Sequence, residues 1–285
     1  MSIDPARVPV LVGAAQINDR PSDPFAGLDS LGLMEAAARG ADADAGGGWL
    51  EGLDSIAVVD QISFPDLGDV AARLAAQLRV APKLCYKSAY ASGASPIRML
   101  NEAAVRIAEG AIETALVAGG EALRTAAQRK AAQTGARGDA MREVAGKRRG
   151  ERTLSYGLVA PTDIYPLYEN ATRAAWGQSL VEGQRESAEI WALMSGVAAR
   201  NEHAWLRTEK SADDILTISE GNRPIAFPYS KLMVANASVN QGAAFIVTSL
   251  AAARRRGIAE DRLAYVGFGA AANEPNSIMA RDRFD

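Results

Sequence analysis

Lys83-Leu84-Cys85-Tyr86-Lys87-Ser88-Ala89-Tyr90-Ala91-Ser92-Gly93-Ala94-Ser95-Pro96-Ile97 changes character twice within a short span. Lys83–Lys87 reads as a buried strand bounded by turn signals. Ala89–Gly93 is a tight turn of mostly small residues. Ser95 then suits an N-cap, and Pro96 suits the first helical position, where its missing N–H costs little. Ile97, Leu100, Ala104, Ile107 and Ala108 recur at helical spacing and are the expected inner face of that helix. Thr114-Ala115-Leu116-Val117-Ala118 is the next strand, closed by Gly119-Gly120. Strand, turn, helix and strand in that order make a crossover unit, which argues for a mainly parallel sheet with helices on both faces.

The surrounding sequence extends the pattern. Upstream, Val8–Ala15 reads as a strand, and Leu31, Leu33, Met34, Ala37 and Ala38 mark a helix that Gly46-Gly47-Gly48 stops. Ile56–Val59 is a short strand, and Val70, Ala71, Leu74, Ala75 and Leu78 mark another helix. Downstream the alternation breaks. From Leu123 to Asn236 there is little strand signal: a basic stretch from Arg137 to Arg152, Pro-rich turns near Pro161 and Pro166, then a helix through Ile190, Leu193, Met194, Val197 and Ala198. That region is expected to be an inserted, mainly helical subdomain. Strand signal returns at Gly242–Thr248 and Ala264–Phe268.

Composition excludes several function classes. Apolar residues make up 48% and charged residues 23% of the 285, the balance of a globular chain with an aliphatic core. A net charge of -3 offers no general attraction for nucleic acid, so no nucleic-acid partner is expected. No apolar run reaches the ~18 residues of a membrane span, and Met1-Ser2-Ile3-Asp4-Pro5 lacks the basic and apolar regions of a signal peptide. A cytoplasmic protein without membrane contact is the expectation. One cysteine, Cys85, excludes an internal disulfide and a Cys-based zinc site, and no metal is expected.

Three segments, in order, resemble thiolases, and the sterol-carrier-type thiolases most of all. Tyr90-Ala91-Ser92-Gly93 before Ala94-Ser95-Pro96-Ile97 resembles the nucleophile turn, which in that family reads Cys-Ala-(Ser/Thr)-Gly before a helix. Ala115-Leu116-Val117-Ala118-Gly119-Gly120-Glu121 is similar to the strand and glycines after that helix. Asn236–Ala244 resembles the Asp-Gly-Ala-Ala signature, with Gln241 in place of the Asp. The resemblance implies an α/β fold equivalent to the N-terminal half of a thiolase. It implies a mixed five-stranded sheet covered by helices on both faces, a core domain over 1–122 and 237–285, and an inserted, mainly helical loop domain over 123–236. It also implies CoA or acyl-CoA thioesters as ligands and acyl transfer as the reference reaction.

The same resemblance marks what is different. A thiolase's second half supplies Asn-Glu-Ala, Gly-His-Pro and Cys-Xaa-Gly segments, and none occurs in this sequence. The chain is therefore expected to be part of a longer protein, or to need a C-terminal thiolase half as partner in the same or another chain, with a homo-oligomer also open. Tyr90 stands at the nucleophile position. A thiol titrates near ~8.5 before its surroundings lower it, whereas a phenol titrates near ~10 and is bulkier and harder to acylate. Tyr90 reads either as a plug in an abandoned site or as a proton donor or acceptor.

The remaining candidates divide between chemistry and scaffolding. Ser92, Gly93, Gly119 and Gly120 read as turn and packing residues at the site, since no Gly-Xaa-Ser-Xaa-Gly elbow surrounds Ser92. Ser238 matches the region where thiolases contact the CoA tail. Arg148 and Arg149, within the basic stretch, read either as solvated loop residues or as partners of the CoA phosphates. Cys85 reads as a buried small hydrophobe, and His203 as structural or surface. Three functions stay open: an acyl-CoA-binding protein without thiolase turnover, an aldolase acting on acyl-CoA through Tyr90, and a structural subunit paired with another thiolase-like chain.

Overall fold

A computed structural model describes residues 3–135, 146–147, 150–272 and 277–284. The chain divides into two compact units, Met1–Gly138 with Ser238–Ala272, and Asp139–Ala237 with Asn273–Asp285. In chain order the first unit holds β1 (Pro9–Asn18), α1 (Ser30–Asp44), β2 (Ser55–Val58), α2 (Val70–Leu78), β3 (Leu84–Lys87), α3 (Ser95–Glu109), β4 (Thr114–Ala122) and α4 (Leu123–Thr134). The second unit holds α5 (Glu151–Ser155), α6 (Pro161–Ala175), α7 (Leu180–Arg200), α8 (Ala212–Leu216) and a small hairpin of β5 (Pro224–Ala226) and β6 (Tyr229–Ser230). The chain then returns to the first unit with β7 (Asn240–Ser249), α9 (Leu250–Arg255) and β8 (Ala264–Tyr265).

The main sheet runs β3-β2-β4-β7-β1-β8. β3, β2 and β4 are parallel, while β7 is antiparallel to both β4 and β1, and β8 is antiparallel to β1. The sheet is mixed, as expected, but it has six strands and not five. The sixth is the two-residue β8 at the edge, where Tyr265 pairs with Val10 and Ala264 with Leu11.

The faces of the sheet are unequally covered. Alternate residues Val10, Val12, Ile56, Val58, Leu116, Ala118, Ala244 and Ile246 join Met34, Ala37, Ala41 and Leu74 in one large core beneath α1, α2 and α9. On the opposite face the buried cluster is only Ala57, Met99 and Val117, with Val59, Tyr86 and Phe245 partly buried around it. α3 is the helix on that side. It seats Ser95, Met99, Ala103, Ala104 and Ile107, while Ile97 (59% exposed), Val105 (53%) and Ala108 face outward. Of the expected inner face, Ala104 and Ile107 are buried and Leu100 half-buried, while Ile97 and Ala108 are corrected to the outer side: α3 is apolar on two adjacent faces, and spacing alone does not fix the rotation between them. Cys85 is corrected likewise. β3 is the edge strand of the sheet, and Cys85 is exposed there although it pairs with the core residue Ile56.

α1 lies over β1, β7 and β4 and approaches them closely at two glycines. Gly120 and Gly242 are direct register partners. A Cβ on Gly120 would sit 2.8 Å from the Ser30 carbonyl oxygen, and one on Gly242 would sit 2.7 Å from that of Leu33. Only hydrogen fits there. At the other end of the parallel strands, Asp54 levels their starts. Its carboxylate accepts from Lys83 Nζ at 2.9 Å and from the Glu113 and Thr114 N–H groups at 2.8 and 3.3 Å. Burial alone would raise the Asp54 pKa, but these donors outweigh it and hold the carboxyl below the ordinary aspartate value.

Within the second unit, α7 packs on α8 through Ala188, Trp191 and Ala192 against Ile215 and Met233. Buried Asn222 donates to the Ile215 and Thr217 carbonyls at 2.8 and 2.9 Å and accepts from Leu232 N, which ties that corner together. Among the described residues no helix is long and apolar enough to cross a membrane.

Candidate functional site

Parallel β2, β3 and β4 bring their carboxyl ends to one edge, where open α/β sheets hold ligands. The loop after β2 is fixed there by the end of β4. Glu121 accepts from the Ile62 and Ser63 N–H groups at 2.9 and 3.0 Å and from the Ser63 hydroxyl. Ser63 Oγ also accepts from Ala122 N at 3.1 Å and lies 2.8 Å from the Oγ of Ser30, at the start of α1. Gln61 closes the loop on itself, accepting from Phe64 N and donating to Phe64 O, both at 2.7 Å. Ser30, Gln61 and Ser63 are all buried, so nearly every polar atom in this knot answers another.

Ser88 carries the linkage to the next loop. Its N–H donates to Val58 O at 2.9 Å. Its Oγ accepts from Asp60 N at 2.9 Å and donates to the Tyr90 carbonyl at 2.8 Å. Lys87 and Asp60 form an ion pair at 3.0 Å alongside. Hydrogen bonds joined by the short backbone of the 60–64 loop therefore link Glu121 through Ser88 to the backbone of Tyr90.

Tyr90 lies at the turn into α3 with its side chain 43% exposed. Ser92 shapes the turn: its carbonyl accepts from Ser95 N at 3.1 Å and its Oγ from Ala94 N at 3.3 Å. Ala94, and not Ser95, is the N-cap, and no side chain caps the helix. Ser95 is instead buried as the first helical residue, and Pro96 is the second. Gly93 has open space where a Cβ would project. Gly119 and Gly120 do not form the expected turn. β4 continues through both to Ala122 because β7 pairs with it over that whole length. Gly119 faces Val59, at 3.3 Å from a built Cβ, and Gly120 faces α1.

The third motif opens β7. Ser238 is exposed just before it. Buried Asn240 accepts from Thr125 N at 3.1 Å and donates to Thr125 Oγ1 at 2.8 Å and to Asp19 O at 3.2 Å. Gln241, at the signature's Asp position, donates to Asn18 Oδ1 at 2.7 Å across the strand pair. Arg148 and Arg149 lie outside the described residues, as do Arg137 and Arg142. His203 is exposed, with Glu202 at 4.0 Å.

Motif reading thus picked out the turn but not what holds it. Ser88, Gln61 and Ser63 had no motif to flag them. Glu121 stood in the glycine segment without a role, although a carboxylate directly after two glycines at a strand end was a usable signal.

No family model matches the chain, and no curated protein matches it. Solved structures do. A monomeric SCP2-thiolase-like protein type 1 from Mycobacterium smegmatis is 28% identical with a TM-score of 0.77, over 99% of this chain and 54% of that one. An Ltp2-ChsH2(DUF35) aldolase is 18% identical with a TM-score of 0.62, over 87% of this chain and 57% of that one. Human mitochondrial 3-ketoacyl-CoA thiolase in complex with CoA is 13% identical with a TM-score of 0.57, over 89% of this chain and 68% of that one. The chain spans about half the length of the first two. Its three ordered motifs, its mixed sheet and these similarities are consistent with a thiolase-like protein.

Proposed function

We propose that the chain holds the CoA portion of an acyl-CoA thioester near the Tyr90 turn and does not carry out thiolysis there. The observation that carries this reading is Tyr90 itself, a phenol at the turn where the resemblance puts a cysteine. Acyl transfer needs a nucleophile ionised in useful amounts near neutral pH. A phenol near ~10 falls short of a thiol that starts near ~8.5 and is lowered by a helix N-terminus. Binding asks for less. The first turn of α3 has no capping side chain, and its positive end favours an anionic group. Arg148 and Arg149 are proposed to meet the CoA phosphates, and Ser238 the tail, while Ser92 and Gly93 shape the turn and Gly119 and Gly120 pack against Val59 and α1 behind it. A role in lipid metabolism, in the cytoplasm, is proposed along with this ligand.

Incubated with acetoacetyl-CoA and CoA, the protein is expected to release no acetyl-CoA above the uncatalysed rate and to carry no acyl adduct by intact mass. Thiolysis with Tyr90 in place would overturn the reading. Carbon–carbon cleavage of an acyl-CoA that is lost in Tyr90→Phe would replace it with aldolase chemistry.

A second observation favours a protein partner on the face of the sheet that carries α3. The small buried cluster of Ala57, Met99 and Val117 on that side, with Ile97 and Val105 exposed on α3 itself, leaves an apolar surface of the kind that marks an interface. A C-terminal thiolase half, in the same or another chain, is the proposed occupant. The 285-residue chain alone should then bind a dye such as ANS, and Ile97→Lys with Val105→Lys should remove most of that binding. A chain that binds no dye would contradict it.

A further inference from the structure

We propose that two copies of this chain pair through an antiparallel contact between their α7 helices. α7 is apolar on two sides. One side, with Ala188, Trp191 and Ala192, packs on Ile215 and Met233. The other carries Ile190 (49% exposed), Leu193 (74%), Met194 (54%) and Val197 (56%). Those four recur at the i, i+3, i+4, i+7 spacing of a single helical stripe. A scattered exposed Leu needs no explanation, but four large apolar side chains in one stripe do.

The stripe is complementary to itself. It is symmetric about the point between Leu193 and Met194. Two copies related by a two-fold axis there set Ile190 of one against Val197 of the other, and Leu193 against Met194. Such an isologous contact doubles every interaction it makes. The charges agree with this register. Glu186 lies one turn before the stripe and Arg200 one turn after it, and both are exposed. Antiparallel pairing brings Glu186 of one copy beside Arg200 of the other at both ends, whereas a parallel pair would set like charge against like. Glu186 accepts from Gln178 Nε2 at 2.7 Å through Oε2, which leaves Oε1 for a partner. An anionic lipid surface fits less well, because Glu182, Glu186 and Glu189 lie along the same helix. Four side chains per copy make a contact well below the ~1,200 Å² of a stable interface, so the dimer is reversible and concentration-dependent.

Sedimentation equilibrium on the 285-residue chain tests this, with circular dichroism to check that each variant is folded. Leu193→Glu should leave only monomer over the range in which the parent chain dimerises. Glu186→Arg and Arg200→Glu should each weaken dimerisation about tenfold, since each turns two attractive contacts into repulsive ones. Mixing those two variants should restore association to about the parent level, because every cross-copy pair is then of opposite sign. A parent chain that stays monomeric at high concentration would overturn the proposal. So would association that ignores all three substitutions, which would point to another face such as that of α3. Mixing that restores nothing would also overturn it, as would vesicle binding lost in Leu193→Glu by a chain monomeric in solution.

Discussion

Gly120→Val is expected to cost about 3 kcal/mol or more of folding stability, a large share of the ~5–15 kcal/mol that holds a typical domain. Its Cβ would lie 2.8 Å from the Ser30 carbonyl oxygen, 3.0 Å from Leu33 Cβ and 3.1 Å from Met34 Cγ. The first of these is backbone and cannot swing away, so α1 must lift from the sheet. Lifting it loosens the packing of Met34, Ala37 and Ala41 over the large core. Gly120→Ala makes the sharper comparison. Glycine inside a strand normally costs roughly 0.5–1 kcal/mol relative to alanine, so an unhindered Gly→Ala change stabilises. At Gly120 the sign should reverse, with a loss of about 1–3 kcal/mol. Gly93, where a Cβ meets nothing within 4 Å, should tolerate alanine with little change. Urea midpoints for the three variants check this. A Gly120→Ala protein as stable as its parent would mean that α1 does not lie as close to β4 and β7 as described.

Glu121→Ala is expected to cost about 2–4 kcal/mol, because two backbone N–H groups and one hydroxyl lose a charged acceptor at once. Ile62 N, Ser63 N and Ser63 Oγ all bond to this carboxylate. Ser63 in turn contacts Ser30 and accepts from Ala122 N, so the loss spreads through a shared network and not through one pair. Glu121→Gln keeps one acceptor oxygen and should lose about half as much. Amide hydrogen exchange gives the local readout: Ile62 and Ser63 should lose protection first, followed by Asp60, whose N–H rests on Ser88. A stability loss under ~0.5 kcal/mol with unchanged exchange would show that water replaces the carboxylate at no cost, and that the 60–64 loop is held some other way.

The layered α/β architecture was legible because it rests on repeated local signals. Val10–Val12, Ile56–Val58 and Leu116–Ala118 are short apolar runs beside helical periodicities, and each became a core strand. Three short motifs in order were enough to point to the family. Legibility failed where the answer depends on what covers a surface. Cys85 sits in a strand-like run, yet it is exposed because β3 is an edge. α3 turned Met99 inward and Ile97 outward, a rotation that two adjacent apolar faces leave undetermined. The Gly119-Gly120 pair looked like a turn, but its cause is the approach of α1, a neighbour distant in sequence. At the candidate site the turn was visible in sequence, while the path from Glu121 through the 60–64 loop to Ser88 that fixes it joins residues as many as 59 positions apart.

The most direct measurement is a calorimetric titration of CoA into the folded chain. Saturable binding at one site per chain, weakened as salt rises because phosphates are part of what is recognised, is the predicted result. A folded protein that gives no binding heat at any temperature tried, and that CoA does not protect against thermal unfolding, would contradict the acyl-CoA reading and leave the thiolase fold here as a scaffold alone.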